Sequence, residues 1–320
     1  MQNFTKDEEY NALKAKFDVY YTENMQPVLQ QSEKTRHKYL LVFFILLLMA
    51  CVFYPYILLI ILSMPLENND ATIGYILALS GFILIVLNGP MYFYCHKVKP
   101  EVMPSFAGFF GNFQYTHEKT LENELLDSSG LFGKYNKNIG DDFFYGRYDD
   151  VAVAIAEEKL KYITFDEKRR KNEKKIFAGV CVLLEMNKPF LGHTLVLEDK
   201  GIFNAFYRVK GLENIKLEDS KFEKIFEVYS DSQIEARYLL TTAFMERILK
   251  LQDLYEGKSI QLSFQHNQLL IAISTHQNLF EANSFFRSNI NKKRIDLVFD
   301  QFYTIFSIIK ILKLNQRIGV

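Results

Sequence analysis

Two apolar segments, residues 39–64 and 73–95, dominate the pattern of hydrophobic and polar positions along the chain. Neither contains an Asp, Glu, Lys, Arg or His, and eight residues separate them. A helix needs about 20 mainly apolar residues to cross the hydrocarbon core of a bilayer, and both segments reach that length. The pattern therefore predicts two transmembrane helices that form a hairpin in the membrane.

Basic residues flank this hairpin on its outer sides. The connecting loop, residues 65–72, has no Lys or Arg and carries Glu67 and Asp70. The flanking basic residues are Lys34, Arg36 and Lys38 before the first segment, and His96, Lys97 and Lys99 after the second. Because Lys and Arg concentrate on the cytoplasmic side, we predict an integral, multi-pass protein of the inner or plasma membrane. Its N-terminus and C-terminal domain are expected in the cytoplasm, with the first segment as an uncleaved anchor.

Prolines suggest where the long helices begin and end. The N-terminal segment has apolar residues at helical spacing, which predicts an amphipathic helix: Tyr10, Leu13, Phe17 and Tyr20 or Tyr21. Pro27 is predicted to break this helix, because proline lacks the N–H that a helix interior needs. Pro100 and Pro104 are predicted to mark a turn after the second span.

From residue 141 onward the spacing of apolar residues becomes that of β-strands. Extended runs alternate with polar turns up to residue 197, a second hairpin is expected over 260–274, and helices are expected over 221–226, 232–255 and 295–314. The predicted fold class is α+β: the transmembrane hairpin plus a cytoplasmic antiparallel sheet closed by a long C-terminal helix. A strand meander that ends in a helix also suggests, by analogy alone, a pleckstrin-homology-like barrel.

These patterns divide the chain into six regions. They are a cytoplasmic helical segment (1–38), transmembrane helix 1 (39–64), an external loop (65–72), transmembrane helix 2 (73–95), a cytoplasmic connector (96–140) and the α+β domain (141–320).

Composition narrows the classes of function. The 38 basic and 38 acidic side chains balance, so no general attraction to nucleic acid is expected. Cys51, Cys95 and Cys181 match no zinc or haem spacing and are interpreted as reduced thiols. The acidic pairs Asp141-Asp142 and Asp149-Asp150 flank a turn and are expected to shape it rather than to bind a metal. No phosphate loop, nucleophile elbow or zinc-protease helix occurs, so no cofactor or metal is predicted and an enzyme is disfavoured.

The C-terminal half resembles a known family. The stretch KKIFAGVCVLLEMN at residues 174–187 is followed by FEKIFEVYS at 222–230 and DSQIEARYLL at 231–240. Together with Phe244-Met245-Glu246-Arg247, these residues are similar to the bacterial DUF3137 family. The resemblance implies two-span membrane proteins with a cytoplasmic domain of unknown function. It implies no reaction, cofactor or catalytic residue.

Polar residues inside this motif form the first candidate site: Asp219, Asp231, Gln233, Glu235 and Arg237. In one interpretation Arg237 and the acids are architectural and tie a helix to the sheet. In the other they line a polar pocket for a small ligand or a peptide end.

A basic run forms the second candidate site: Lys168, Arg169, Arg170, Lys171, Lys174 and Lys175. It falls at a predicted hairpin tip, where it either keeps edge strands soluble or contacts anionic lipid. The favoured function is a membrane-anchored interaction module without enzymatic activity that binds a protein, a peptide or a lipid headgroup. The alternative is a membrane-surface enzyme with a site around Arg237 and Glu235. The pattern does not settle the oligomeric state.

Overall fold

The computed structural model describes residues 8–63, 69–186, 191–199, 211–255, 258–275, 278–312 and 314. Contacts divide the chain into two compact units. The helical unit contains residues 12–105 and 281–295, and the sheet unit contains the described residues within 1–11, 106–280 and 296–320. Long apolar helices, an antiparallel sheet and a C-terminal helix give the α+β fold that the sequence predicts.

Two long helices carry the apolar segments. The first is continuous from Glu8 to Ser63 and consists of α1 (Glu8–Tyr20), a π-helical turn (Tyr21–Met25) and α2 (Gln26–Ser63). The second is α3 (Asn69–Phe110). Both are long and apolar enough to cross a membrane. Large side chains along them are exposed, among them Leu48 at 66%, Leu59 and Leu77 at 67%, and Ile85 at 73%. Exposed apolar surface of this extent supports membrane association.

The two predictions that rested on prolines are wrong. Pro27 does not break the helix, because a π-helical turn precedes it: the Gln26 N–H donates to the Tyr21 carbonyl, five residues back. Such a turn shifts the hydrogen-bond ladder just where proline cannot take part in it. Pro100 and Pro104 do not form an exit turn either, since α3 continues through both to Phe110.

A short C-terminal segment, residues 281–295, belongs to the helical unit. Its anchor is Asn289, which is fully buried. The Asn289 side chain donates to the Ser32 hydroxyl at 3.0 Å and contacts the Tyr94 hydroxyl at 2.6 and 2.9 Å. The Asn289 N–H donates to the Glu33 carboxylate at 2.9 Å. One residue therefore joins this segment to both α2 and α3.

The sheet unit is built on nine antiparallel strands in the order β1-β2-β3-β4-β9-β8-β5-β7-β6. The strands are β1 (Gln114–His117), β2 (Lys137–Tyr148), β3 (Val151–Phe165), β4 (Lys171–Glu185), β5 (Thr194–Glu198), β6 (Glu213–Ile215), β7 (Phe226–Ser230), β8 (Ile260–Gln265) and β9 (Gln268–Ser274). Among the described residues no pairing joins β1 to β6, so the series is open there and the barrel analogy is not confirmed.

The described residues of the sheet unit also form four α-helices: α4 (Asn123–Ser128), α5 (Gln233–Leu239), α6 (Thr242–Leu254) and α7 (Lys292–Leu312), whose first residues lie in the helical unit. The helix predicted over 232–255 is two helices, because Thr241 caps the N-terminus of α6 with its side chain. The helix predicted over 221–226 is a 3₁₀ turn at Phe222–Lys224 that leads into β7.

Aromatic side chains of α7 form much of the core of the sheet unit. Phe302 lies 5.0 Å from the ring of Phe144, and Phe306 lies 4.5 Å from Tyr148 and 4.9 Å from Phe110. These rings meet at the offset and edge geometries that aromatic pairs prefer. The predicted closing helix over 295–314 is thus confirmed, with its start three residues earlier.

Candidate functional site

The longest strands of the sheet, β3 and β4, form a hairpin that extends past their neighbours. β2 pairs with β3 only as far as Lys161, and β9 pairs with β4 only from Gly179. Beyond those positions the two strands pair only with each other among the described strands, as far as Phe165 opposite Lys171. Residues 162–175, here called the hairpin tip, therefore project as a two-stranded ribbon.

Hydrogen bonds give the hairpin tip a defined shape. The Asp166 carboxylate accepts the Arg170 backbone N–H at 2.7 Å and the Arg170 Nε–H at 2.8 Å. Arg169 adopts the left-handed backbone conformation, with φ of 57°, which closes the turn. On the strand edge, the Asn136 carboxamide bonds both backbone groups of Ile163, at 2.7 and 2.8 Å. The turn and one edge of the ribbon are therefore held before any partner binds.

Ion pairs use only part of the positive charge at the hairpin tip. Arg170 forms an ion pair with Asp166. Glu173 forms ion pairs with Lys171, at 2.7 Å, and with Lys161. Hydrogen bonds from these two lysines lower the pKa of Glu173 to about 2, so it stays ionised. Four exposed cations form no ion pair with any described residue: Lys168, Arg169, Lys174 and Lys175. The tip therefore presents a net positive end.

The hairpin tip also carries an exposed aromatic residue that was not among the predicted site residues. Phe165, the last residue of β3, is 68% exposed directly before the charged turn. An aromatic ring beside several cations is the combination found where protein surfaces meet lipid headgroups. The signal was visible in the sequence as an apolar residue at the edge of a basic run.

Two acidic residues of the family motif accept hydrogen bonds from backbone N–H groups rather than line a pocket. The Glu235 carboxylate accepts the N–H groups of Leu191, at 3.1 Å, and Gly192. Asp231 accepts the His193 N–H at 3.0 Å. A Cβ added to Gly192 would lie 2.5 Å from oxygens of both acids, so any other residue there would displace these carboxylates. Glu235 and Asp231 therefore fix the start of β5.

The other motif residues lie apart from this pair of acids. Asp219 accepts the N–H groups of Lys221 and Phe222, at 2.9 and 3.0 Å, and so caps the 3₁₀ turn. Arg237 is exposed and donates to the Lys216 carbonyl at 2.8 Å. Gln233 is exposed at the start of α5. The architectural interpretation is thus the one that the contacts favour.

A surface depression of about 580 Å³ lies beside Asp219. It is lined by Glu218, Asp219, Ser220, Lys221, Thr242, Glu246, Leu249 and Lys250. Neither Glu235 nor Arg237 lines it. The depression therefore does not gather the motif residues into one polar site.

Comparison with known proteins gives two matches. The family model described as "Protein of unknown function (DUF3137)" matches residues 175–314. Among solved structures, the crystal structure of the mycobacterial trehalose monomycolate transport factor A, TtfA, is similar. The two sequences are 12% identical, the match covers 68% of this chain and 97% of that chain, and the TM-score is 0.35. A likeness at this TM-score shows neither a shared fold nor a shared function. No curated protein matches.

The matched residues begin in β4 and include β5 to β9 and α5 to α7, so β1 to β3 and both apolar segments precede them. The sequence stretches that suggested the resemblance, from Lys175 onward, lie within the match. The resemblance to the DUF3137 family of proteins of unknown function is therefore confirmed over residues 175–314.

Proposed function

We propose that the chain is a membrane-anchored interaction module whose hairpin tip binds the anionic surface of the cytoplasmic leaflet. In this proposal α2 and α3 span the membrane, and both termini lie in the cytoplasm. The observation that carries the proposal is the projecting ribbon with four exposed cations beside the exposed Phe165.

The charge of the hairpin tip is large enough to matter. A basic residue near an anionic leaflet contributes about 1 kcal/mol, and this attraction falls off within a Debye length. Four such residues give about 4 kcal/mol by the same estimate, reduced by the nearby acid Glu167. Because hydrogen bonds already define the turn, little conformational entropy remains to be lost on contact. Partial burial of Phe165 at the interface adds to the attraction.

The contacts of Glu235 and Arg237 do not support the enzymatic alternative. It required Glu235 and Arg237 to face a common pocket, whereas Glu235 accepts two backbone N–H groups and Arg237 donates to a backbone carbonyl. A carboxylate that already holds two amides is poorly placed to act as a base toward a substrate.

The chain contains no tryptophan, which allows a direct test of the proposal. We expect Phe165→Trp in the full chain, reconstituted in nanodiscs, to emit at shorter wavelength when phosphatidylglycerol is mixed with phosphatidylcholine than in phosphatidylcholine alone. Brominated lipids should quench this emission, and high salt should reverse the effect because it screens exposed charges. Tyr238→Trp, on the exposed face of α5, provides the matched control and should respond to neither lipid.

Charge reversal at the four cations, with Lys168, Arg169, Lys174 and Lys175 all changed to Glu, should abolish the response of Phe165→Trp. Identical emission and quenching with and without the four changes, or in both lipids, would contradict the proposal.

A further inference from the structure

A cluster of metal-binding side chains lies at the β1 end of the sheet, far in sequence from the family motif. β1 and β2 pair antiparallel, and His117 lies directly opposite Asp142 in their register. Residues opposite each other in an antiparallel pair project from the same face of the sheet. The strand pairing alone therefore brings the imidazole and this carboxylate together.

A β-bulge brings in a second carboxylate. On β2 the register advances three residues, from Gly140 to Phe143, while β3 advances two, from Glu158 to Ala156. Regular strand alternation would send Asp141 and Asp142 to opposite faces of the sheet. A bulge inserts one extra residue and re-aims the side chains next to it. Both acids therefore reach His117, and the prediction that this pair shapes a turn is wrong.

The three residues have the geometry of a ligand set. One ligand atom from each of His117, Asp141 and Asp142 lies within 4.8 Å of the others. His117 Nδ1 is 3.7 Å from Asp141 Oδ1. In a tetrahedral site whose ligands bind Zn²⁺ at about 2.0–2.2 Å, the ligand atoms lie about 3.3–3.6 Å apart. The distance from His117 to Asp141 is already close to this value. Closing the whole set around an ion needs shifts of about 1 Å.

The surroundings hold the ligand atoms in place. Asp142 is fully buried, and the side chains of His117 and Asp141 are only 14% and 19% exposed. The Tyr115 hydroxyl donates to Asp142 Oδ1 at 2.7 Å, and the Asn278 amide donates to Asp141 Oδ2 at 3.3 Å. Outer hydrogen bonds of this kind orient metal ligands and tune their affinity. This set thus differs from acidic residues that are merely crowded on a surface.

We propose that His117, Asp141 and Asp142 bind one divalent transition-metal ion, with Zn²⁺ as the first candidate. Imidazole favours zinc and its neighbours over Mg²⁺ or Ca²⁺, and two carboxylates supply charge that offsets that of the ion. Three protein ligands leave a further position for water. This set is not visible in the sequence, because residues 117 and 141–142 are far apart in the chain and the pairing of β1 with β2 brings them together.

The test uses the full chain in detergent, freed of metal with a chelator and then titrated with Zn²⁺ by calorimetry. We expect one equivalent to bind, and His117→Gln and Asp141→Asn each to weaken that binding at least about tenfold. Asp149→Asn provides the matched control, because Asp149 is an exposed acid in the two-residue turn after the same strand. Co²⁺ in place of Zn²⁺ should give a visible absorption band that the two variants lose.

Absence of a stoichiometric site would overturn the inference. So would equal Zn²⁺ affinity in the two ligand variants and in Asp149→Asn. If His117→Gln fails to fold, Asp141→Asn decides, since Asp141 is the most exposed of the three ligands.

Discussion

Glu158→Gln should stabilise the sheet unit by roughly 3 kcal/mol at pH 8 and change its stability little near pH 4. Glu158 lies in β3, is fully buried, and accepts the Leu121 N–H at 2.6 Å. Burial raises the pKa of its carboxyl from 4.5 to about 7. Its Oε2 has no hydrogen-bond partner among the described residues, a position better suited to a neutral group than to a carboxylate.

The direction of the pH dependence follows from this raised pKa. Below about pH 4.5 the carboxyl is protonated in both the folded and the unfolded chain, so it does not lower the free energy of unfolding. Between about pH 4.5 and 7 the unfolded chain loses the proton first, and the free energy of unfolding falls as the pH rises. Above about pH 7 the carboxyl is ionised in the folded chain as well, and the full cost of burying its charge lowers the free energy of unfolding. Glutamine keeps the acceptor for the Leu121 N–H and removes the charge.

Chemical denaturation of the full chain in detergent at pH 4 and pH 8 checks this expectation. Glu185→Gln provides the matched control, because Glu185 is exposed at the end of the adjacent strand β4. Unfolding free energies that change in parallel with pH for the wild type and Glu158→Gln would show that the buried carboxyl does not govern the profile.

Asn289→Ala is expected to destabilise the helical unit by roughly 3–5 kcal/mol. The change removes the donor to the Ser32 hydroxyl, the partner of the Tyr94 hydroxyl and the acceptor of the Ser284 N–H at 3.2 Å. Each buried polar group that loses its partner costs about 1–3 kcal/mol. Segment 281–295 should then detach from α2 and α3 before the helices themselves unfold.

Thermal unfolding in detergent, together with limited proteolysis of residues 281–291, measures this effect. Asn112→Ala is the control, since Asn112 is exposed whereas Asn289 is fully buried. A variant with wild-type unfolding temperature and wild-type resistance to protease would show that Asn289 is not the anchor of the segment.

The sequence predicted best those features that depend on neighbouring residues. The two apolar helices follow from uninterrupted hydrophobicity, and the hairpin turn at Asp149-Asp150 follows from residues that tolerate positive φ, 47° and 64° here. The basic run falls at a hairpin tip as predicted, because the turn and the charges are adjacent in the chain.

Features that depend on distant residues were missed. Glu235 holds the backbone of Leu191 and Gly192, more than forty residues earlier in the chain, and Asn289 bonds Ser32, 257 residues away. The bulge on β2 likewise appears only once β2 is paired with β3. Proline rules failed for Pro27 and Pro100 because a π-helical turn and helix context outweigh the local preference.

Membrane topology is the central claim of this account, and cysteine accessibility tests it most directly. With Cys51 and Cys95 changed to Ser and Cys181 buried, the single variants Asp70→Cys and Lys168→Cys report on the first turn of α3 and on the hairpin tip. In intact cells, a membrane-impermeant maleimide should label Asp70→Cys and leave Lys168→Cys unlabelled until the cells are lysed. Labelling of Lys168→Cys in intact cells would place the sheet unit outside the cytoplasm and contradict the account.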